Sequence, residues 1–368
     1  YNKSICSITN PDSVINIGEY AFSNCYGLTE ITIPVDVKTI GKKAFSSCSN
    51  LEKIYWNAKC ADDFIKYSGR IFESSGSAAE ELHLVFGNTV ERIPANMLNF
   101  SACYISKITI SESIKTIGDS AFTECDDIDE LHISDIKAWC GITFDVTEYG
   151  SCGSNPFAGA ANLYLNGELV TELVIPDGVT DISQYAFYRA GCISEVVISD
   201  TVVNIGKIAF ALCAGFEKIT VGEPGDSMGD KVFSDCNSLA EVCWNAKNVE
   251  DFGSNSEVFC MAGSNGDGIE IVFGDSVEHI PAYLLYVSRT ADQPKVKNIV
   301  LGKNVKSIGI YALPSGFDTD SNGEWENGGL YQDTQLIKVD TSFTGDFTIK
   351  EGTTYIAVGA FNGCNGIT

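Results

Sequence analysis

The chain has 368 residues, 44% hydrophobic and 11% aromatic, which is enough for an extensive core and excludes a disordered composition. Its formal net charge of −25 at pH 7 argues strongly against nucleic acid and anionic membrane surfaces, which require a basic patch. No run of about eighteen apolar residues occurs, so no segment is expected to span a membrane.

From the N-terminus onward, a phrase of twenty-three residues sets the organisation. Its clearest copies are Ile17-Gly18-x-x-Ala21-Phe22-x-x-Cys25-x-x-Leu28-x-x-Ile31-x-Ile33-Pro34 and Ile40-Gly41-x-x-Ala44-Phe45-x-x-Cys48-x-x-Leu51-x-x-Ile54. A fixed period of this length marks a solenoid in which each phrase is one coil. Leu28-x-x-Ile31-x-Ile33 alternates with period two and predicts a short strand. Pro34 ends it, because proline cannot donate to a ladder. Val37-x-x-Ile40 predicts a second short extended piece at a corner, and Gly41 a tight bend. Ala44-Phe45-x-x-Cys48 fits a single helical turn with Ala and Phe inward. Serine and asparagine around Cys48 and Leu51 close the corner.

The next coils pass through Phe72 and Leu98, with Ile93-Pro94 in place of Ile-Gly, and Phe122 restores the standard form. A long coil follows through Phe157. Phe187, Phe210 and Phe233 come at regular spacing. Phe259, Leu285, the Ala312-Leu313 corner, a degenerate coil near Leu330, and Phe361 complete the series. About fourteen coils stacked about 4.8 Å apart imply one α/β repeat solenoid over residues 1–368, a rod of roughly 65 Å. It is expected to carry a parallel β-sheet of short strands, with short helical turns or irregular coils on the other faces. A larger period lies on top. Trp56-Asn57-Ala58-Lys59 recurs as Trp244-Asn245-Ala246-Lys247, and Ile93-Pro94-Ala95 as Ile280-Pro281-Ala282, an internal duplication with an offset of about 187. The chain begins at Tyr1 and ends within a repeat, so it is expected to be a piece cut at both ends.

Of the fourteen cysteines, six (Cys25, Cys48, Cys125, Cys213, Cys236 and Cys364) fall three residues after the aromatic position. A free cysteine behaves as a small buried hydrophobe, so these predict a row of stacked thiols. No CxxC and no Cys/His cluster with zinc spacing occurs. Trp56 and Trp244 replace an inward strand residue and are expected in the core.

The combined pattern resembles the BspA-like class of leucine-rich repeats. Residues 28–51 carry it through Leu28, Ile31, Ile33, Pro34, Val37, Ile40, Gly41, Ala44, Phe45, Cys48 and Leu51, and residues 196–239 nearly repeat it twice. The resemblance implies a leucine-rich-repeat superhelix on a surface or secreted protein, associated with adhesion to host proteins and other cells. It implies no catalytic site and no cofactor.

Two outward rows lie along the strands. One runs Glu30, Lys53, Lys107, Glu130, Glu172, Glu195, Lys218, Glu241, and reads mainly as charge compensation between coils. The other runs Thr32, Tyr55, Thr109, His132, Val174, Val197, Thr220, Cys243, Val300. Contiguous exposed apolar surface marks interaction sites, so Tyr55, His132, Val197 and Thr220 are candidate partner contacts. Trp325, in the loop-like segment 315–329, is a fifth. Asp318-x-Asp320-x-Asn322-Gly323 matches the opening of a calcium loop, but the closing Glu position holds Gly329, so the metal reading is incomplete. His83, His132 and His279 are widely separated, and no H-E-x-x-H, G-x-S-x-G or Walker-type motif occurs.

The reading that results is a non-enzymatic adhesion or binding solenoid, extracellular or at the cell surface. It is expected to be a monomer that recognises a protein or glycan on a host or neighbouring cell. A structural stalk presenting another domain is the alternative.

Overall fold

The computed structural model describes residues 7–8, 10–65, 70–98, 104–123, 125–145, 154–159, 161–223, 226–313, 324–332, 334–340, 342–357, 359–361 and 363–368. It divides into two compact units, residues 1–171 with 182–193, and residues 172–181 with 194–368.

In the first unit, the predicted strands stack into an eight-stranded sheet. Glu30–Ile33, Lys53–Trp56, Leu82–Phe86, Ile105–Ile110, Glu130–Ile133 and Asn162–Leu165 follow one another in parallel. Alternation buries Ile31, Ile33, Ile54, Trp56, Leu84, Phe86, Ile108 and Leu131 and turns their neighbours outward. The sheet ends on an antiparallel strand, Glu168–Leu169, that folds back on Tyr164 and Leu165. Asn166 and Gly167 make the turn with φ of 52° and 89°, the left-handed pair of a type I′ hairpin.

In the second unit a six-stranded parallel sheet repeats the pattern through Glu172–Ile175, Glu195–Ile198, Lys218–Val221, Glu241–Trp244, Ile269–Phe273 and Val296–Val300. Near Leu330 the described residues do not form the expected degenerate coil. Glu324–Glu326, Gly329–Gln332 and Gln335–Val339 form an antiparallel meander instead, turned by Asn327 and Gly328 at φ 51° and 84°. The meander has its own small core of Tyr331, Leu336, Val339, Ala357 and Ala360.

The corner differs from the expected helical turn. Lys43 and Ser47, two residues either side of Phe45, have φ of 53° and 58°, and Lys231 and Asp235 do the same around Phe233. A left-handed residue at every fourth position prevents helical propagation. The amides therefore alternate. Ala44 N–H closes a local turn on Gly41 O at 3.2 Å, and Phe45 N–H crosses to Ile71 O of the next coil at 2.9 Å. In the second unit Phe233 N–H crosses to Val258 O at 3.0 Å. The result is an additional inter-coil ladder, over which the rings stack: Phe22–Phe45 at 5.1 Å and Phe45–Phe72 at 5.4 Å, Phe233–Phe259 at 5.2 Å. Among the described residues the α-helix Ile136–Cys140, capped by Asp135, is the single one, in the long coil that departs from the phrase.

Gly41 serves close approach. Its φ is not left-handed, and a Cβ there would lie 2.4 Å from Glu19 N of the preceding coil. The thiol row is present: Cys48, Cys125, Cys213 and Cys236 are buried, Cys25 and Cys364 half-buried. These thiols also donate, Cys48 Sγ to Phe22 O and Cys236 Sγ to Phe210 O, each at 3.1 Å. Burial pushes the Cys48 thiol up to about 12, and Cys236 well above the usual thiol range. Trp56 and Trp244 are fully buried, as expected.

Two predictions follow from this packing. Gly41→Ala should cost about 1–3 kcal/mol of unfolding free energy by urea titration, because the obstacle is backbone. Gly18→Ala, with nothing within 4 Å of the new methyl, should stay within about 0.5 kcal/mol of wild type, and equal losses at both sites would contradict the close-approach account. In thiol titration of the folded chain, exposed Cys60 should react quickly while Cys48 and Cys236 stay protected until denaturant is added.

Candidate binding surface

Side chains that alternation turns away from the core are aligned by the register of the ladder, so each outward row can be read strand by strand. In the first unit the first row is Glu30, Lys53, His83, Lys107, Glu130 and Asn162. The second is Thr32, Tyr55, Val85, Thr109, His132 and Tyr164. The twenty-three-residue count does not bring His83, Val85 or Tyr164 into these rows. The strand pair Tyr55 to Val85 spans thirty residues and His132 to Tyr164 thirty-two, so inserted coils break the twenty-three-residue count. The alternation of Leu82-His83-Leu84 and Leu163-Tyr164-Leu165 was the signal available for them.

The two rows interlock. His132 and Tyr164 stack face to face, centroids 4.5 Å apart and 6° from parallel. His132 Nε2 lies 2.8 Å from Glu130 Oε2, and Lys107 Nζ donates to the same oxygen at 2.9 Å. His83 pairs with Thr109 Oγ1 at 2.8 Å and sits 6.5 Å from the His132 ring. Glu30 faces Lys53 in register but forms no ion pair with it; the Lys53 ammonium lies 5.0 Å over the Tyr55 ring, a cation–π contact. Tyr55 and His132 thus share one row without touching, with His83 and Lys107 beside the strands between them.

The electrostatics follow from this crowding. Burial lowers the His83 pKa to about 4, with Lys107, Lys53 and His132 adding to the effect. The imidazole is neutral at pH 7. His132 and then Lys107 hold the Glu130 carboxyl below its ordinary range, and Glu130 raises Lys107.

The second unit presents a different face. Val174, Val197, Thr220, Cys243, Val272 and Val300 form one row, and Val197 and Thr220 are direct neighbours. Val174 is 59% exposed. Beside them Lys218 bridges Glu195 at 4.0 Å and Glu241 at 3.2 Å, the compensation expected from sequence. The remaining histidine, His279, stands on a separate two-stranded ladder. Trp325 lies on the meander, its backbone opposite Leu330. Asp318, Asp320 and Asn322 lie outside the described residues. Among the described residues no group of three or more His, Cys, Asp or Glu side chains is arranged to hold a metal ion, and no helix is long and apolar enough to cross a membrane.

Comparison with known proteins gives one family. Residues 1–129, 71–145 and 160–292 match the BspA type leucine rich repeat region, in six copies. No curated protein matches. Among solved structures, a leucine-rich repeat protein from Bacteroides ovatus is similar over 99% of this chain and 86% of its own, at 19% identity and a TM-score of 0.53. A leucine rich cell surface protein from Faecalibacterium prausnitzii aligns over 80% of this chain and 85% of its own, with 22% identity and a TM-score of 0.38. The pneumococcal vaccine antigen PcpA aligns over 96% and 84%, with 18% identity and a TM-score of 0.37.

The pH dependence of the first unit tests the His83 environment. An unfolded histidine binds its proton below about pH 6.5, whereas folded His83 holds out to about 4. The unfolded state therefore binds more protons in that window. The His83 contribution is fully present above about pH 6.5 and is lost as pH falls towards 4. Urea unfolding at pH 7 and pH 5 should show a smaller drop for His83→Asn than for wild type. Equal drops would remove His83 from the account.

Proposed function

The chain belongs to the BspA-type leucine-rich repeat family, and on that premise we propose that it is a binding solenoid displayed outside the cell, recognising a macromolecule on a host or neighbouring cell. The observation that carries the reading is the row Tyr55, Val85, Thr109, His132, Tyr164 with Lys53, His83 and Lys107 alongside. On a chain of net charge −25, it sets two lysines and two imidazoles among aromatic rings on five successive strands. Tyrosine and other large aromatic side chains dominate binding energy where they are seated at an interface.

The rings favour a protein partner over a stacked sugar. His132 and Tyr164 each cover one face of the other, and Lys53 covers one face of Tyr55, so less open ring face is left for stacking. A polypeptide side chain fits between rings, while a pyranose needs an open ring face. The ion pair Lys107–Glu130 supplies a donor and an acceptor for a partner's backbone. Val197 and Thr220 extend the same reading to the second unit, where valines make up most of the row. Repetition of weak contacts along a ladder suits a large or multivalent ligand.

The test is a binding screen of the purified chain against immobilised extracellular proteins and glycans. A protein ligand is expected. Tyr55→Ala and His132→Ala should each weaken its capture by about tenfold or more, the size of a hot-spot loss of about 1.4 kcal/mol or above. Val197→Ala reports separately on the second unit. A folded chain that captures nothing across the screen would leave the stalk reading in its place, and capture indifferent to all three substitutions would remove these rows as the binding surface.

A further inference from the structure

On the two-stranded ladder of His279–Ile280 and Ser307–Ile308 in the second unit, three side chains from successive coils form one hydrogen-bonded line. Ser307 Oγ lies 2.6 Å from His279 Nδ1, and His279 Nε2 lies 2.9 Å from Asp251 Oδ1. Asp251 is fixed from behind by the Ala282 N–H at 2.7 Å. That amide first, and His279 next, hold its carboxyl below the usual range. An ionised carboxylate only accepts, so the tautomer with one ring proton carries it on Nε2. Its Nδ1 lone pair then faces the Ser307 hydroxyl. A nucleophile, a base and a group orienting the base are in hydrogen-bond reach of one another.

The first unit holds the same scaffold with different chemistry. Ala95 N–H donates to Asp63 Oδ1 at 2.7 Å, as Ala282 does to Asp251. Arg92 stands where His279 stands and pairs with Asp63 at 2.6 Å. Thr116 faces Arg92 in register as Ser307 faces His279. The coil therefore needs the aspartate and a donor to it. It does not need a base or a primary alcohol: a guanidinium cannot accept a proton, and an imidazole can.

We propose that Ser307 is a reactive nucleophile, activated by His279 and oriented through Asp251, that takes an acyl group from activated esters. Ser307 Oγ attacks the acyl carbon and gives its proton to His279 Nδ1. The bond to the leaving oxygen breaks, the acyl group stays on Ser307, and His279 returns the proton to the departing phenolate. The backbone limits the substrate class. Ser307 N–H donates to Glu278 O at 3.2 Å and Gly309 N–H to Ile280 O at 2.8 Å, so neither is free to line an oxyanion hole. Without that stabilisation the acyl donor must carry a good leaving group, as aryl esters do. Amide bonds fall outside the class, and the event is a single acylation rather than turnover.

The test is incubation of the whole chain with p-nitrophenyl acetate, with peptide mass spectrometry to locate the added acetyl group. Acetylation of Ser307 is expected to exceed that of Ser276, a surface serine bonded to a backbone carbonyl, by at least tenfold. It should vanish in Ser307→Ala. His279→Arg recreates the pair of the first unit, so it should keep the wild-type circular dichroism and melting temperature while Ser307 acetylation falls at least tenfold. Asp251→Asn, which keeps an acceptor for Ala282, should lower it as well. Ser307 acetylated no faster than Ser276, or unchanged in folded His279→Arg, overturns the proposal.

Discussion

The constraint on which the structure depends is that a coil cannot satisfy its own backbone. Buried amides and carbonyls must be hydrogen-bonded, and a twenty-three-residue coil contains neither a helix nor a hairpin to do so locally. The next coil supplies the partners. Strands pair along the sheet, two-residue pieces pair at the corner, and alternate amides of the Phe turn cross to the neighbour. Stacking at one strand spacing follows, and so does the glycine at positions such as Gly41, where the neighbouring backbone leaves no room for a methyl group.

The same constraint bears on where a parallel run is interrupted. A parallel ladder can extend indefinitely, and an open edge invites further pairing. The two Asn-Gly hairpins, at Asn166-Gly167 and Asn327-Gly328, turn a strand back on itself. Leu169 and Glu168 thereby satisfy the edge of the first unit's sheet with an antiparallel partner. Inserted coils are tolerated because extra residues leave the ladder between strands and rejoin it in register, as between Tyr55 and Val85.

Function sits on what stacking leaves free. Inward positions are held to apolar types by the core. Outward ones are free, so charge pairs, aromatic rings and hydrogen-bonded lines differ between two units that share one scaffold. The equivalent corner carries Asp63–Arg92 in one and Asp251–His279–Ser307 in the other.

The amino-acid sequence by itself determined the repeat, the strands, the buried tryptophans and the thiol row, because each rests on local periodicity that every coil restates. Tyr55, His132, Val197 and Thr220 were legible as outward strand residues for the same reason. It did not yield the Phe corner, whose Ala-Phe-x-x-Cys spacing suits a helical turn equally well; left-handed residues at Lys43 and Ser47 decide otherwise once the next coil offers carbonyls. Nor did it bring His83 and Tyr164 beside His132, or Ser307 beside His279. Those neighbours are set by the register between coils of unequal length, and only the folded ladder counts strands rather than residues.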